Sequence, residues 1–518
     1  MRKIIPRKIK GFRDSNPGLN SLKWHIINSA GTVYKLYGFE HWDTPVMEYA
    51  DCIGKYLPEA DSVDEGIYFF RNPEKENLFD DEGGLLKDSA GNFLLDNHFI
   101  ALRYDLTAPL SRLYAEQLWD TYKRGQLTGN NAPLLRRYQY GPVFRYEAKL
   151  DPGRFREFWQ LDFDSVGSAD MGVDAEACMV LSDALEAIGL QRGSFIVKVN
   201  NRKIFKGYLA NLGLADENME QAILRIIDKA DKIGKEGMIL ELGKGRKDKS
   251  GAEIPGLGLD DSLVSRITGF LDDFSHDASR SDVLTNLRSL SGGNIHLDEG
   301  IAELTEIDGI LSGLGFDEDR VVFSPALVRG MSYYTGPVFE VESTLTFKDD
   351  KGNERRVGSI CGGGRYDGLV ERLLGAKVPA TGASIGVDRL AELLTLTNAL
   401  PQSQQGPVLI ISFDAALKSE YMKIASELRS EGISSEVYYG LQKGLKKQMA
   451  YGDKKAAPVV IIIGSDEHAK GVATIRDMRM GAAMSADAAS KEEWKSKAQV
   501  EVPRGEIAAK VKEMLHKS

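Results

Sequence analysis

The stretch FRYEAKLDPGRFREFWQLDFDSVG (Phe144–Gly167) constrains this chain more than any other. The KLDPGR composition between Glu147 and Phe155 marks a loop between two strands, because Asp, Pro and Gly favour turns. In the second strand Phe155, Trp159, Leu161 and Phe163 are apolar, while Arg156, Gln160, Asp162 and Asp164 stand between them. Successive strand side chains point to opposite faces. One face therefore packs a core and the other lines up an amide and two carboxylates. A solvated face explains that pattern equally well. The preceding strand weakens this bland reading: YQYGPVFRYE sets Arg145 and Glu147 on one face, and the loop adds Lys149 and Arg154. Arginines near a loop tip can clamp phosphate bidentately.

Further clusters repeat the theme. LRYDLTAP sets Asp105 and Thr107 on one face of an extended segment. SICGGGRYDGLVERL has three glycines before Arg365. Alone it reads as a tight turn, since it lacks P-loop or GxGxxG spacing. ATGASIGVDRLAELL runs small residues through a strand into a helix whose first turn carries Arg389. Small residues admit a flat ligand, and a helix start favours phosphate. Finally, ALVRGMSYYTGPVFEV (Ala326–Val341) places an arginine and two tyrosines ahead of an apolar, β-like run.

A chain of 518 residues is too long for one core, so two or three domains are expected. Helical spacing runs from Leu19 to about Lys35, and GVDRLAELLTL forms a helix near residue 390. The boundaries read as a core of 1–200 with 321–400, a helical insertion at 201–320 holding the loop GKGRKDKSGAEIPGLG, and a domain at 407–518 beyond the linker NALPQSQQGP. That last domain alternates strands and helices, as an α/β domain with a largely parallel sheet does. Residues 60–98 read as hairpins or a surface insertion. The formal charge of −10 argues against binding nucleic acid through overall charge, though a local basic face remains open. Three dispersed cysteines suit a reducing, cytoplasmic setting. Neither HExxH nor CxxC occurs, so no metal ligands are assigned, and no apolar run reaches membrane-spanning length.

Taken in order, these clusters resemble the class II aminoacyl-tRNA synthetases, and among them the histidyl-tRNA synthetase family. GPVFRYE with GRFREFWQLDFD is similar to motif 2, ATGASIGVDRL to motif 3, and YGFEHWDTPVMEYAD to motif 1. Those mark only the class. ALVRGMSYYTGPVFEV and ICGGGRYDGLVERL resemble the two histidine-specific signatures, while KIKGFRDSNP and LRYDLT also fit. Ser332 stands where the family usually carries aspartate, and the 60–98 segment is longer than the family leads one to expect.

The resemblance implies an α/β multi-domain chain: an antiparallel-sheet catalytic domain with a helical insertion, then an anticodon-binding domain. It implies ATP as substrate with Mg²⁺, L-histidine and tRNA(His) as partners, and a homodimer through motif 1. Arg329 and Arg145 then act on the α-phosphate, with Glu147, Arg154 and Arg389 around ATP. Asp105, Thr107, Gln160, Asp164, Tyr333 and Tyr334 line the histidine pocket, and no side-chain nucleophile is needed. Lys443, Lys446, Lys447 and Tyr451 meet tRNA, within a basic run that also holds Lys454 and Lys455. Two other outcomes are weighed: a non-catalytic histidine-sensing paralogue, and a class II synthetase for another amino acid.

Overall fold

The computed structural model describes residues 5–53, 66–73, 99–127, 131–146, 155–247, 251–274, 278–327, 334–349, 351–368, 370–400, 406–441, 444–479 and 499–516. It divides into two compact units, Met1–Leu400 and Pro401–Ser518.

The first unit is built on eight strands: β1 (Glu40–His41), β2 (Leu135–Phe144), β3 (Glu157–Val166), β4 (Phe195–Asn201), β5 (Val321–Phe323), β6 (Pro337–Ser343), β7 (Ser359–Arg365) and β8 (Ala380–Gly386). Their order across the sheet is β1-β2-β3-β8-β7-β6-β4-β5. From β2 to β4 every pairing is antiparallel; the edge strands β1 and β5 pair parallel.

Helix Pro17–Leu36 covers the apolar face. Its start is set by Asn16, whose side chain accepts from Leu19 N at 2.8 Å, followed by a proline whose missing N–H costs nothing there. Ile26, Ile27, Ala30, Val33 and Tyr34 recur at helical spacing and are buried. They share one core with Leu161 and Phe163 of β3, and the Tyr34 and Phe163 rings lie 5.0 Å apart. From Gln160 to Val166 both faces of β3 are buried, so its polar face is not a solvated one.

Six helices lie between Arg202 and Gly313 among the described residues. Their apolar faces join the core of the sheet, with Ile204, Leu297 and Leu304 in the same cluster as Val199 and Phe339. Two glycines allow the close approach. A Cβ at Gly207 would lie 2.6 Å from Leu297 N, and one at Gly300 would lie 2.9 Å from Ile204 Cδ1. Within GKGRKDKSGAEIPGLG, expected as a loop, Arg246–Lys247 and Glu253–Ile254 pair as a short antiparallel ribbon.

The motif-1-like run forms two short strands, β1 and Met47–Tyr49. The second pairs with Phe99–Leu102, which pairs in turn with Phe69–Arg71. Most of the 60–98 segment lies outside the described residues.

The second unit holds β9 (Val408–Ile410), β10 (Ser435–Val437), β11 (Val459–Ile462), β12 (Val472–Asp477) and β13 (Gln499–Pro503), ordered β10-β9-β11-β12-β13. The first two pairings are parallel and the last two antiparallel, so the expected largely parallel sheet is mixed. Val408 and Ile410 pack into one core and Leu409 into another. Apolar cover on both sides is why the run reads as continuously hydrophobic.

Candidate functional site

A cavity of about 540 Å³ opens on the first unit, a size usual for small-molecule sites. Asp105, Thr107, Arg145, Gln160, Asp164, Tyr334 and Arg389 all line it. Arg329, Tyr333, Glu147 and Arg154 lie outside the described residues. Further lining comes from Phe155, Phe158, Asp162, Tyr366, Ser384 and Asp388, none of which was assigned a role from the sequence.

The site is ordered along β3. At one end Phe158 lies near Arg145, whose guanidinium sits 4.2 Å from the Tyr104 ring centroid and 5.3 Å from that of Phe158. Its Nε donates to Tyr104 O at 3.1 Å. Two rings and a carbonyl thus hold a cation in place. Arg389 stands in the first turn of helix Val387–Thr397, where its Nη2 donates to Val357 O at 2.8 Å. The neighbouring Asp388 takes Arg13 at 2.7 Å, Lys23 at 3.1 Å and the backbone N–H of Trp159 at 2.6 Å. Arg13 also stacks 3.7 Å over Phe155. The N-terminal segment, β3 and this helix are thereby tied together at the arginine end.

The other end is acidic and buried. Asp164 pairs with the buried Arg137 at 3.0 Å and accepts from the Tyr366 hydroxyl. Burial raises its carboxyl above the usual range against the pull of Arg137. Burial, then Asp164, push Asp162 up to about 7. The small residues of β8 make this crowding possible. Gly382 lies opposite Asp164, and a Cβ there would stand 2.3 Å from Asp164 Oδ1. Gly364 of β7 does the same for Tyr334, whose Cδ1 would be 2.8 Å from an added Cβ.

Two expectations are corrected. Asp105 and Thr107 are not on one extended segment. Thr107 opens helix Thr107–Lys123, and Asp105 Oδ1 caps it by accepting from Thr107 N at 3.1 Å and Ala108 N at 2.9 Å. A carboxylate there also suits the positive end of the helix dipole. The GGG run is no turn. It is the middle of β7, where Gly363 would bring a Cβ within 2.2 Å of Gly382 O. Arg365, at the end of β7, is buried against Asp174, and donates to Ser168 O at 3.1 Å and Asp170 O at 3.2 Å.

In the second unit Lys446 and Lys447 are exposed on helix Leu445–Lys454, while Lys443 lies outside the described residues. Tyr451 is less available than expected. Its hydroxyl donates to Glu436 and its ring packs edge-on to Tyr438, centroids 5.2 Å apart. Tyr439, Leu441 and Leu445, 63%, 98% and 43% exposed, stand just before and at the start of that helix.

Comparison with known proteins settles the family. The histidyl-tRNA synthetase model matches residues 94–390, and an anticodon-binding-domain model matches residues 407–514. The histidine–tRNA ligase of Ruegeria pomeroyi is 42% identical over 98% of this chain and 96% of its own.

The chain belongs to the histidyl-tRNA synthetase family.

The histidine–tRNA ligase of Paracoccus denitrificans is likewise 42% identical, over 98% of this chain and 97% of its own. The crystal structure of histidyl-tRNA synthetase from a Nostoc species superposes with a TM-score of 0.69 at 27% identity. It covers 99% of this chain and 100% of its own. Asp162 shares the strand periodicity already noted for Gln160 and Asp164 and was open to detection from it, and Ser384 belongs to the run of small residues noted in ATGASIGVDRL. Tyr366 and Arg13 carried no such signal, because their partners Asp164 and Asp388 lie far away along the chain; Arg137 faces Asp164 across the β2–β3 hairpin, a register that the turn residues alone did not fix.

Proposed function

We infer that this protein attaches L-histidine to tRNA(His) in two steps, through a histidyl-adenylate. The observation that carries the reading is the single cavity lined by all seven described residues expected to bind histidine or ATP. In the first step a histidine carboxylate oxygen attacks the α-phosphorus of ATP, and the bond to pyrophosphate breaks. In the second a ribose hydroxyl of the tRNA end attacks the acyl carbon, and AMP leaves. Both steps need charge neutralisation and positioning rather than a side-chain nucleophile.

Arg145, held between rings, is assigned with Arg329 to the α-phosphate, where negative charge builds up as two anions meet. Arg389 at a helix start is assigned to the distal phosphates. Glu147 and Arg154 complete the ATP assignments. The histidine side is assigned to Asp105, Thr107, Gln160, Asp164, Tyr333 and Tyr334. Because Asp164 already serves Arg137 and Tyr366, its part is to shape the pocket floor and orient the Tyr366 hydroxyl.

Magnesium neutralises a triphosphate when bound to it. Among the described residues no group of three or more His, Cys, Asp or Glu side chains is arranged to hold a metal. The ion is assigned to the triphosphate, whose charge it would neutralise. Lys446 and Lys447 are assigned to tRNA. A homodimer through the motif-1-like strands and a cytoplasmic setting complete the reading; among the described residues no helix is long and apolar enough to cross a membrane.

ATP–pyrophosphate exchange with each of the twenty amino acids tests the function. Exchange with histidine alone is the expected result. Exchange with another amino acid, or none at all with an ATP-binding protein, defeats it.

A further inference from the structure

Three elements meet at one carboxylate. Asp388 stands in the first turn of helix Val387–Thr397, lines the cavity beside Arg389 and is 3% exposed. A buried carboxylate has to be paired, and its cations come from behind the pocket. Arg13 Nη2 reaches it at 2.7 Å and Lys23 Nζ at 3.1 Å, while its Oδ2 accepts from Trp159 N at 2.6 Å.

Arg13 grips more than this one residue. Its Nη1 lies 3.4 Å from Glu392 Oε2. Asp388 and Glu392 are four residues apart, so they share one face of the helix. Holding both fixes how far that helix is turned about its axis. Arg389 projects about 100° further round the same helix, so the grip also sets where its guanidinium points. The flat face of Arg13 lies 3.7 Å from the Phe155 ring centroid, and Phe155 lines the same cavity. A planar guanidinium can hold carboxylates at its edge and a ring on its face at once; an ammonium cannot.

The strap that carries Arg13 is itself laid against the site. Gly11 O accepts from Arg156 N at 2.9 Å, and Arg156 O accepts from Arg145 N at 3.0 Å. Only glycine permits that approach. Its φ is +87°, and a Cβ would stand 2.6 Å from Arg156 Cγ. Next along, the Phe12 ring packs edge-on to Tyr68 with centroids 6.0 Å apart. Among the described residues Arg13 stands behind the cavity lining rather than in it.

We propose that Arg13 is a positioning residue for the ATP end of the cavity. It sets Arg389 through Asp388 and Glu392, and it sets Phe155 through its stacked face. The proposal rests on the ATP assignment of Arg389 above. The histidine end is held by other means: Asp105 caps its own helix, and Asp164 is bonded to Arg137 and Tyr366. Loss of Arg13 should therefore be felt at one end only.

Calorimetric titration of the full-length protein with ATP and, separately, with histidine tells the two ends apart. Arg13→Ala should weaken ATP binding about tenfold, the scale of one charge-assisted hydrogen bond, with histidine affinity within about twofold. Arg13→Lys keeps a cation for Asp388 but loses the fork and the stacked face, so it should fall between wild type and Arg13→Ala. A loss of ATP affinity below about threefold in Arg13→Ala overturns the proposal. Equal losses for ATP and histidine overturn it too, since they mark a general support of the fold. Should the alanine variant fail to fold, Arg13→Lys decides, and ATP affinity there within about 1.5-fold of wild type overturns the proposal. Wild type that binds ATP, with Arg13→Ala unaffected, sinks this assignment only. Wild type that binds no ATP sinks the functional reading with it.

Discussion

Asp162 and Arg145 show how differently one cavity treats its charged residues. Arg145 is held by aromatic faces and one carbonyl, an arrangement that keeps a guanidinium pointed without neutralising it. On the α-phosphate assignment proposed above, replacing it by alanine should remove a contact strengthened in the transition state, on the order of 3 kcal/mol or roughly a hundredfold in rate. Pyrophosphate exchange by Arg145→Ala should fall by that factor, and a loss under about threefold would take Arg145 out of the reaction. Asp162 carries the opposite liability. Its carboxyl, raised to about 7 by burial and by Asp164, keeps its proton in the folded chain where the unfolded chain has lost it above about pH 4. The folded state thus binds more protons in that window, and stability must fall as pH rises from about 4 to about 7. Asp162→Asn escapes the loss. It should melt at higher temperature than wild type at pH 8 and show no such gain at pH 5. Equal shifts at both pH values would mean that Asp162 titrates normally.

Strands β3, β7 and β8 are where the chemistry and the packing meet. β8 donates smallness: Gly382 leaves room for the Asp164 carboxylate, and Ser384 reaches Gln160 and Asp162. Gly382→Ala would press a methyl to 2.3 Å from Asp164 Oδ1 and 2.5 Å from Phe163 O. Since one of those atoms is backbone, the strands must part, at about 1–3 kcal/mol by comparison with other overpacked cores. The variant should bind histidine more weakly while ATP affinity changes less; equal affinity for histidine would show that the strands absorb the methyl elsewhere. Much of this was legible beforehand, because a period of two in β3 places Gln160 and Asp164 on one face whatever the tertiary structure. Other features were not. Whether that face meets solvent or a cavity depends on strands over two hundred residues away. Asp105 looked like one tooth of an extended segment, since a helix start and a strand share the same LRYDLT letters until the cap closes on Thr107 N and Ala108 N. The burial of Arg365 had no local signal, because its partner, Asp174, is remote in sequence. The GGG run, read as a turn, is a strand whose neighbours leave no space for side chains.

The two units carry separate cores, and that separation has consequences for the whole molecule. In the first unit Met47, Tyr49 and Phe70 are 50%, 45% and 45% exposed on the small three-stranded sheet that includes the motif-1-like strand, and Val46, just before it, is 37% exposed. Apolar side chains clustered at a sheet surface mark an interaction site. Light scattering should return twice the single-chain mass of 57.1 kDa at micromolar concentration, and a single-chain mass would remove the dimer. The second unit has apolar clusters on both faces of its own sheet, one containing Val408, Ile461 and Val511 and the other Leu409 and Val460. All seven described histidine and ATP candidates stand in the first unit. The exposed Lys446 and Lys447, with Tyr439 and Leu441, stand in the second. Cations for phosphate beside open apolar surface for bases are what single-stranded RNA asks of a protein. Truncation after Leu400 should therefore spare histidine-dependent pyrophosphate exchange to within a fewfold and weaken charging of tRNA by far more. Full-length Lys446→Ala with Lys447→Ala should weaken charging alone, and the loss should shrink at high salt, where phosphate contacts count for less. Truncation that abolishes exchange and charging together, with the double variant unaffected, would move tRNA recognition out of this unit.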